Sequence, residues 1–195
     1  MTDTPMHRVA REDLPQMLVD QWDWVNGLVE DPTCVEVLAN HPPMAKWYFE
    51  QFYGQVFYNG NPEMTVDVRT KEVLRLRLTK QTGCMLCNRN NSAAALAAGI
   101  TQEQIDNFRE PTAELFSDQD LAVMELADHM LLHNPEGRLN RPLYDRLKQH
   151  FTDAQIMEMG HLAAVMTGYL KLMFVFDLVP KEDYCPFNAV QIAAE

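Results

Sequence analysis

Val73-Leu74-Arg75-Leu76-Arg77-Leu78-Thr79 alternates apolar and polar side chains with the period of two that marks a half-buried strand. As a strand it would begin a sheet, whereas as a helix it leaves the chain all-α. Its composition favours helix. Leu, Arg and the flanking Lys71, Glu72 and Lys80 are strong helix formers, β-branched residues are few, and no partner strand occurs elsewhere in the chain.

On both sides the punctuation is that of helices joined by short loops. Three start signals carry an acceptor three positions on, namely Thr101 with Gln104, Ser117 with Asp120 and Thr152 with Gln155. The first and last are full capping boxes by residue type. Turns fall at Asp31-Pro32, His41-Pro42-Pro43, Asn59-Gly60-Asn61-Pro62, Gly99, Pro111, Asn134 to Gly137 and Pro180, which leaves about eight helical segments between them. From Ala154 to Phe176 apolar residues cover most of a helical wheel, so this helix is expected at the centre of the bundle. Its apolar run, Leu162 to Phe176, is interrupted by Lys171 and ends at Asp177, shorter than the roughly 18 residues a bilayer span requires.

With 8 glycines and 11 prolines, the chain has too few turn residues for a many-stranded barrel or sandwich. No long linker, composition shift or internal repeat divides it. One domain over residues 1–195 is expected, with residues 1–13 as an N-terminal arm, and a chain of this size can bury roughly 70% of its surface. The 16 basic and 28 acidic residues give a net charge of −12, which argues against nucleic acid or an anionic membrane as a partner. Four cysteines are too sparse for a disulfide scaffold. The N-terminal residues lack the basic start and apolar core of a signal peptide, so a cytoplasmic location is expected.

The strongest chemical signal is Gly83-Cys84-Met85-Leu86-Cys87-Asn88-Arg89-Asn90-Asn91, which runs into an Ala-rich stretch ending at Gly99. That stretch reads as a helix with its stop, which puts the Cys-X-X-Cys at the helix N-terminus. There the exposed N–H groups and the positive end of the dipole favour a thiolate. Between residues 69 and 89, Arg69, Lys71, Arg75, Arg77, Lys80 and Arg89 face a single acid, Glu72, so the thiols lie in the only basic segment of the chain. Half of a zinc site and two inert buried cysteines are the other readings of the pair. A structural zinc site needs four ligands, and no second Cys or His pair follows at suitable spacing.

Glu72 through Cys87 resembles the signature of the carboxymuconolactone decarboxylase/alkylhydroperoxidase D superfamily. In its peroxidase branch a Glu precedes the first Cys by twelve positions, as Glu72 precedes Cys84 here. Cys-X-X-Cys follows, and then a His four positions after the second Cys. The likeness extends loosely over residues 40–180, through the Ala-rich helix, Leu143 to His150, and Thr152 to Glu158. It implies an all-α helical bundle of the alkylhydroperoxidase D type, assembly into a homo-oligomer (dimer, trimer or hexamer), and reduction of organic hydroperoxides as small-molecule substrates. By motif position, Cys87 would attack the peroxide and Cys84 would resolve the product into a disulfide, which a dithiol reductant protein or small thiol would then reduce. Glu72 would begin the proton relay. No cofactor beyond the redox-active disulfide, and no metal, is implied.

The chain departs from this pattern at Asn91, which stands where the peroxidase branch has His. Asn does not exchange a proton at neutral pH, although it can hold a water or orient a carboxylate. His161, in the long late helix, is the candidate to take over the relay. The alternative function is a cofactor-free decarboxylase or lyase for a small carboxylated ring-cleavage product, acting through Glu72 and His161. Without the family spacing, Glu72 would read as an ion pair with Arg75 on a helix surface.

Other groups read as structural. Glu125, His129 and His133 recur every four residues on one helix face and are taken as solvated. Cys34 and Cys185 are taken as packing residues. Seven aromatics fall within residues 47–58, more than one helix face can bury, so part of the cluster is expected to line a pocket or a subunit interface.

Overall fold

The computed structural model describes residues 2–188, and in it the alternating segment is helical. Among the described residues the chain is an all-α bundle. Its helices are α1 (Gln16–Val29), α2 (Thr33–Leu38), α3 (Pro42–Lys46), α4 (Val68–Thr82), α5 (Met85–Ala97), α6 (Gln102–Asp106), α7 (Asp118–His129), α8 (Arg141–Leu147) and α9 (Asp153–Val175). Directly after α3 the residues Trp47–Phe57 form a π-helix. All three expected start signals are capping boxes, at Thr101, Ser117 and Thr152. None of the helices among the described residues is long and apolar enough to cross a membrane.

The centre of the bundle is α4 rather than α9. Helix α4 packs against α5, α7 and α9, and every residue from Thr70 to Thr79 is buried. That enclosure explains the alternating sequence. Leu74, Leu76 and Leu78 enter the core, while the polar residues between them are buried as well and reach partners on neighbouring elements. Helix α9 buries Met159, Leu162, Ala163, Met166 and Leu170 but leaves Met157, His161, Ala164, Gly168 and Val175 exposed along its other side. An apolar wheel was a poor guide to its position, because part of that apolar surface faces outward.

A buried cation must be paired, since an isolated charge costs several kcal/mol in a low-dielectric interior. Each cation in the first three turns of α4 has a carboxylate partner. Arg69 is bidentate to Asp120 on α7, at 2.6 and 3.1 Å. Arg77 is bidentate to Asp128 on the same helix, at 2.8 and 2.7 Å, and also donates to the Phe108 and Arg109 carbonyls. Lys71, fully buried, reaches Glu158 on α9 at 2.7 Å and donates to the Val56 carbonyl at 2.7 Å and to Asn59 Oδ1 at 2.5 Å. It thereby ties the end of the π-helix to α4 and α9. Burial alone would raise the Glu158 carboxyl, but Lys71 and the Thr65 and Val66 N–H groups hold it below its ordinary value.

Four of the six cations of the basic run, Arg69, Lys71, Arg75 and Arg77, are therefore matched by acids in space. Glu158→Gln should lower unfolding stability by about 3 kcal/mol, because it leaves Lys71 as an unpaired buried charge. Urea denaturation checks this, and the loss in the double variant with Lys71→Met should be smaller than the sum of the two single losses.

Candidate functional site

The site begins where α4 stops. Gly83 takes a left-handed φ of 68° and donates its N–H to the Thr79 carbonyl at 2.9 Å. A Cβ at this position would lie 2.9 Å from the Cys185 backbone, so glycine is required both for the turn and for the close approach. The next residue, Cys84, is the N-cap of α5, and its sulfur accepts the Cys87 N–H at 3.2 Å. The C-terminal segment straps this corner. The Met85 N–H donates to the Pro180 carbonyl at 3.1 Å and the Glu182 N–H donates to the Gly83 carbonyl at 2.9 Å. Asn88 donates to the Tyr184 hydroxyl at 3.0 Å, and the Arg109 guanidinium lies 3.9 Å from the centre of the Tyr184 ring.

Cys84 and Cys87 are joined as a disulfide with their Cα atoms 5.2 Å apart. Their surroundings differ. Cys84 is fully buried, whereas Cys87 is only partly buried and lines a cavity of about 490 Å³. The walls come from α1, α2, the π-helix, α4, α5 and α9. Apolar and aromatic side chains predominate, with Gln21, Arg75, Thr79, Asn90 and Asn91 as the polar exceptions.

The π-helix shapes one wall. Its wider turn brings residues five apart towards the same face, and Tyr48, Tyr53 and Tyr58 follow that interval through the π-helix and the residue after it, and all line the cavity. Tyr48 stacks on Tyr169 of α9 with ring centres 3.8 Å apart, and its hydroxyl lies 3.5 Å from that of Tyr53. Burial pushes the Tyr48 phenol well above its usual value, with Tyr53 adding to the effect. The aromatic cluster thus serves in part as a pocket wall. Its five-residue spacing was the signal in the sequence, hidden under the assumption of α-helical periodicity.

Glu72 lies behind this wall. It is fully buried, and the Arg75 guanidinium grips it with Nε at 3.0 Å and Nη2 at 2.6 and 2.7 Å. The ion pair suggested by the spacing exists, but in the interior rather than on a surface. Burial raises the Glu72 carboxyl above its ordinary value, while Arg75 and the Tyr58 hydroxyl pull the other way. Arg75 also sits against Phe57, Tyr53 and Tyr58, at 4.5, 5.5 and 5.9 Å from the ring centres. Arg75 and Tyr58 line the cavity and Glu72 does not, so Glu72 can reach it only through them.

Asn91 is buried and lines the cavity. Its amide donates to Thr79 Oγ1 at 3.4 Å, and its carbonyl accepts from Asn90 Nδ2 at 3.3 Å. His161 does not lie where the relay would need it. It is exposed on α9, its Nδ1 bonds to the Met157 carbonyl at 2.9 Å, and it is not part of the cavity wall. Cys87, Asn91 and Arg75 line the cavity, with Cys84 bonded to Cys87 and Glu72 held by Arg75, and His161 lies apart from them.

Two further expectations change. Helix α7 ends at His129, so His133 does not continue the face of Glu125 and His129. Glu125 pairs with Arg146 at 3.2 Å and His129 Nδ1 accepts the Arg138 N–H at 3.3 Å. Among the described residues, no cluster of three or more His, Cys, Asp or Glu is placed to hold a metal ion. Cys34 and Cys185 are free and buried, as packing residues would be, but Cys34 also lines the cavity. Burial pushes its thiol up to about 12, followed by the nearby Asp31.

Comparison with family models returns no match. The chain is similar to an uncharacterized protein, YdfG, of Bacillus subtilis (strain 168), at 24% identity over 98 residues, which is 50% of this chain and 66% of that protein. The match thus spans just under two thirds of the relative's length.

After mild reduction, iodoacetamide should modify Cys87 ahead of Cys84, Cys34 and Cys185, by roughly tenfold or more in rate, because the other three sulfurs are buried. Timed alkylation with peptide mapping checks this order.

Proposed function

We propose that this chain is a thiol-dependent peroxidase of the alkylhydroperoxidase D type, reducing organic hydroperoxides through the Cys84 and Cys87 pair. The observation that carries the proposal is the asymmetry of the two sulfurs. One faces a largely apolar cavity large enough for an organic substrate and the other lies buried behind it, within bonding distance. The family resemblance of Glu72 through Cys87 points to the same chemistry.

In the proposed cycle the Cys87 thiolate attacks the terminal peroxide oxygen, and the O–O bond breaks. The alkoxide leaves and takes up a proton to become the alcohol, while Cys87 becomes a sulfenic acid. The Cys84 thiol then attacks the Cys87 sulfur, which releases water and forms the disulfide. A dithiol, protein or small molecule, restores both thiols and is itself oxidised.

Helix α5 supports the thiolate through its N-terminal dipole, since Arg69, Lys71, Arg75 and Arg77 are each paired with a carboxylate. Arg75 is suited to hold negative charge on the departing oxygen. Glu72, with its carboxyl raised by burial, is suited to exchange a proton with the cavity through the Tyr58 hydroxyl. In this reading Asn91 orients groups and carries no proton. The alternative decarboxylase, acting through Glu72 and His161, lacks its second residue at the cavity. A cytoplasmic setting, where dithiol reductants are maintained, and a homo-oligomeric assembly belong to the proposal. The exposed apolar side chains Trp47, Met157 and Val175 are suited to subunit contact.

Steady-state assays with cumene hydroperoxide and a dithiol test the proposal. Cys87→Ser and Cys84→Ser should each reduce turnover to the buffer background, and one turnover of the native protein should yield the Cys84–Cys87 disulfide. Full activity in either variant would overturn the mechanism.

A further inference from the structure

Trp24 differs from the other aromatic residues of the cavity. Tyr48, Phe49 and Tyr53 are fixed by ring-to-ring contacts within the π-helix and with α9, and Tyr58, itself 45% exposed, is held by the rings of Tyr53 and Phe57. Trp24 stands on α1, lines the cavity and is nevertheless 51% exposed, which puts its indole at the rim between cavity and water. Its recorded polar contact is Nε1–H to Asn90 Oδ1, at 2.8 Å. Asn90 follows Cys87 by three residues on α5, so the rim side chain is fastened one helical turn from the exposed sulfur.

The orientation of Asn90 is set from within. Its Nδ2 donates to Asn91 Oδ1 at 3.3 Å, and Asn91 Nδ2 donates to Thr79 Oγ1 at 3.4 Å. Thr79 in turn donates to the Leu76 carbonyl at 3.2 Å. This directional chain runs from buried α4 to the rim and leaves the Asn90 carbonyl turned towards the indole. It contains no group that titrates near neutral pH. A second tie holds α1 in place, since Arg89 donates to the Leu28 carbonyl at 2.5 Å.

We infer that Trp24 is the specificity-determining residue of this site, and that its indole, latched to Asn90, screens substrates by size before they reach Cys87. The substrate in question rests on the peroxidase reading above, but access to the sulfur is a property of the cavity and is measured separately. A single half-exposed hydrogen bond breaks readily, so the latch slows bulky molecules without sealing the cavity. Asn91, in the position where the resembling family carries His, is a positioning residue for the latch.

The test is the labelling of Cys87 in the reduced protein by pyrenylmaleimide and by N-methylmaleimide, which share one reactive group and differ in width. Peptide mapping restricts the rates to Cys87. Trp24→Ala should raise the bulky-to-small rate ratio by roughly tenfold, in keeping with steric discrimination in a pocket. Asn90→Leu, which removes the acceptor and keeps the indole, should raise the ratio by a smaller factor. Asn90→Asp retains an acceptor oxygen and should leave the ratio at its native value, even if the added charge slows both reagents. An unchanged ratio in Trp24→Ala, or equal acceleration of both reagents, would overturn the inference. With hydroperoxides, Trp24→Ala should lower KM for cumene hydroperoxide at nearly constant kcat and leave hydrogen peroxide unaffected. If no hydroperoxide is turned over by any form, the peroxidase reading fails while the labelling ratio still decides the role of Trp24.

Discussion

The structure depends on the pairing of the cations that α4 carries into the interior. Lys71, Arg75 and Arg77 are buried on a helix enclosed on several sides, where an unpaired charge costs several kcal/mol, and Arg69 is half-buried at its start. Their partners, Asp120, Glu158, Glu72 and Asp128, bring α7 and α9 to fixed positions around α4. Such pairs add little net stability relative to apolar packing, but any arrangement that leaves one unmatched is strongly disfavoured. They therefore select one arrangement of helices. Because α5 follows α4 through the single left-handed residue Gly83, the two cysteines inherit their position from that selection.

The same pairing accounts for the chemistry around the cavity. Arg75 is the one cation of the set whose acid lies on its own helix, three residues away, so it needs no neighbour for neutrality and remains available to the cavity wall. The rings of Phe57, Tyr53 and Tyr58 surround it and complete its desolvated setting. The amides of Asn90 and Asn91 form an oriented line between α4 and the rim. The site thus combines a paired charge, an apolar body and a polar line that starts one helical turn from Cys87.

Much of the fold was legible in the sequence because its signals are local. The helix formers of α4, the boxes at Thr101, Ser117 and Thr152, and the placement of Cys84 and Cys87 at a helix start depend on neighbours within a few residues. Features that depend on distant partners were not legible. The basic run around the thiols looked more positive than it is because the acids of Arg69, Lys71 and Arg77 lie between roughly 50 and 90 residues away, on α7 and α9. Helix α9 was apolar around most of its wheel, and periodicity could not say which side would be left uncovered, so His161 was assigned to an interior it does not enter. The Tyr48, Tyr53 and Tyr58 wall was visible as a five-residue interval, but only π-helical geometry makes that interval a face. His133 was counted onto α7 although the helix stops at His129.

The proposed function requires Cys87 to be an activated thiol, with the N-terminus of α5 favouring its thiolate and the cavity giving substrates access to it. The most direct measurement is the rate of Cys87 alkylation in the reduced native protein as a function of pH. An activated Cys87 should show a titration midpoint well below the ordinary thiol value of about 8.5. A midpoint at or above that value would contradict it and would make Cys84 and Cys87 a structural pair.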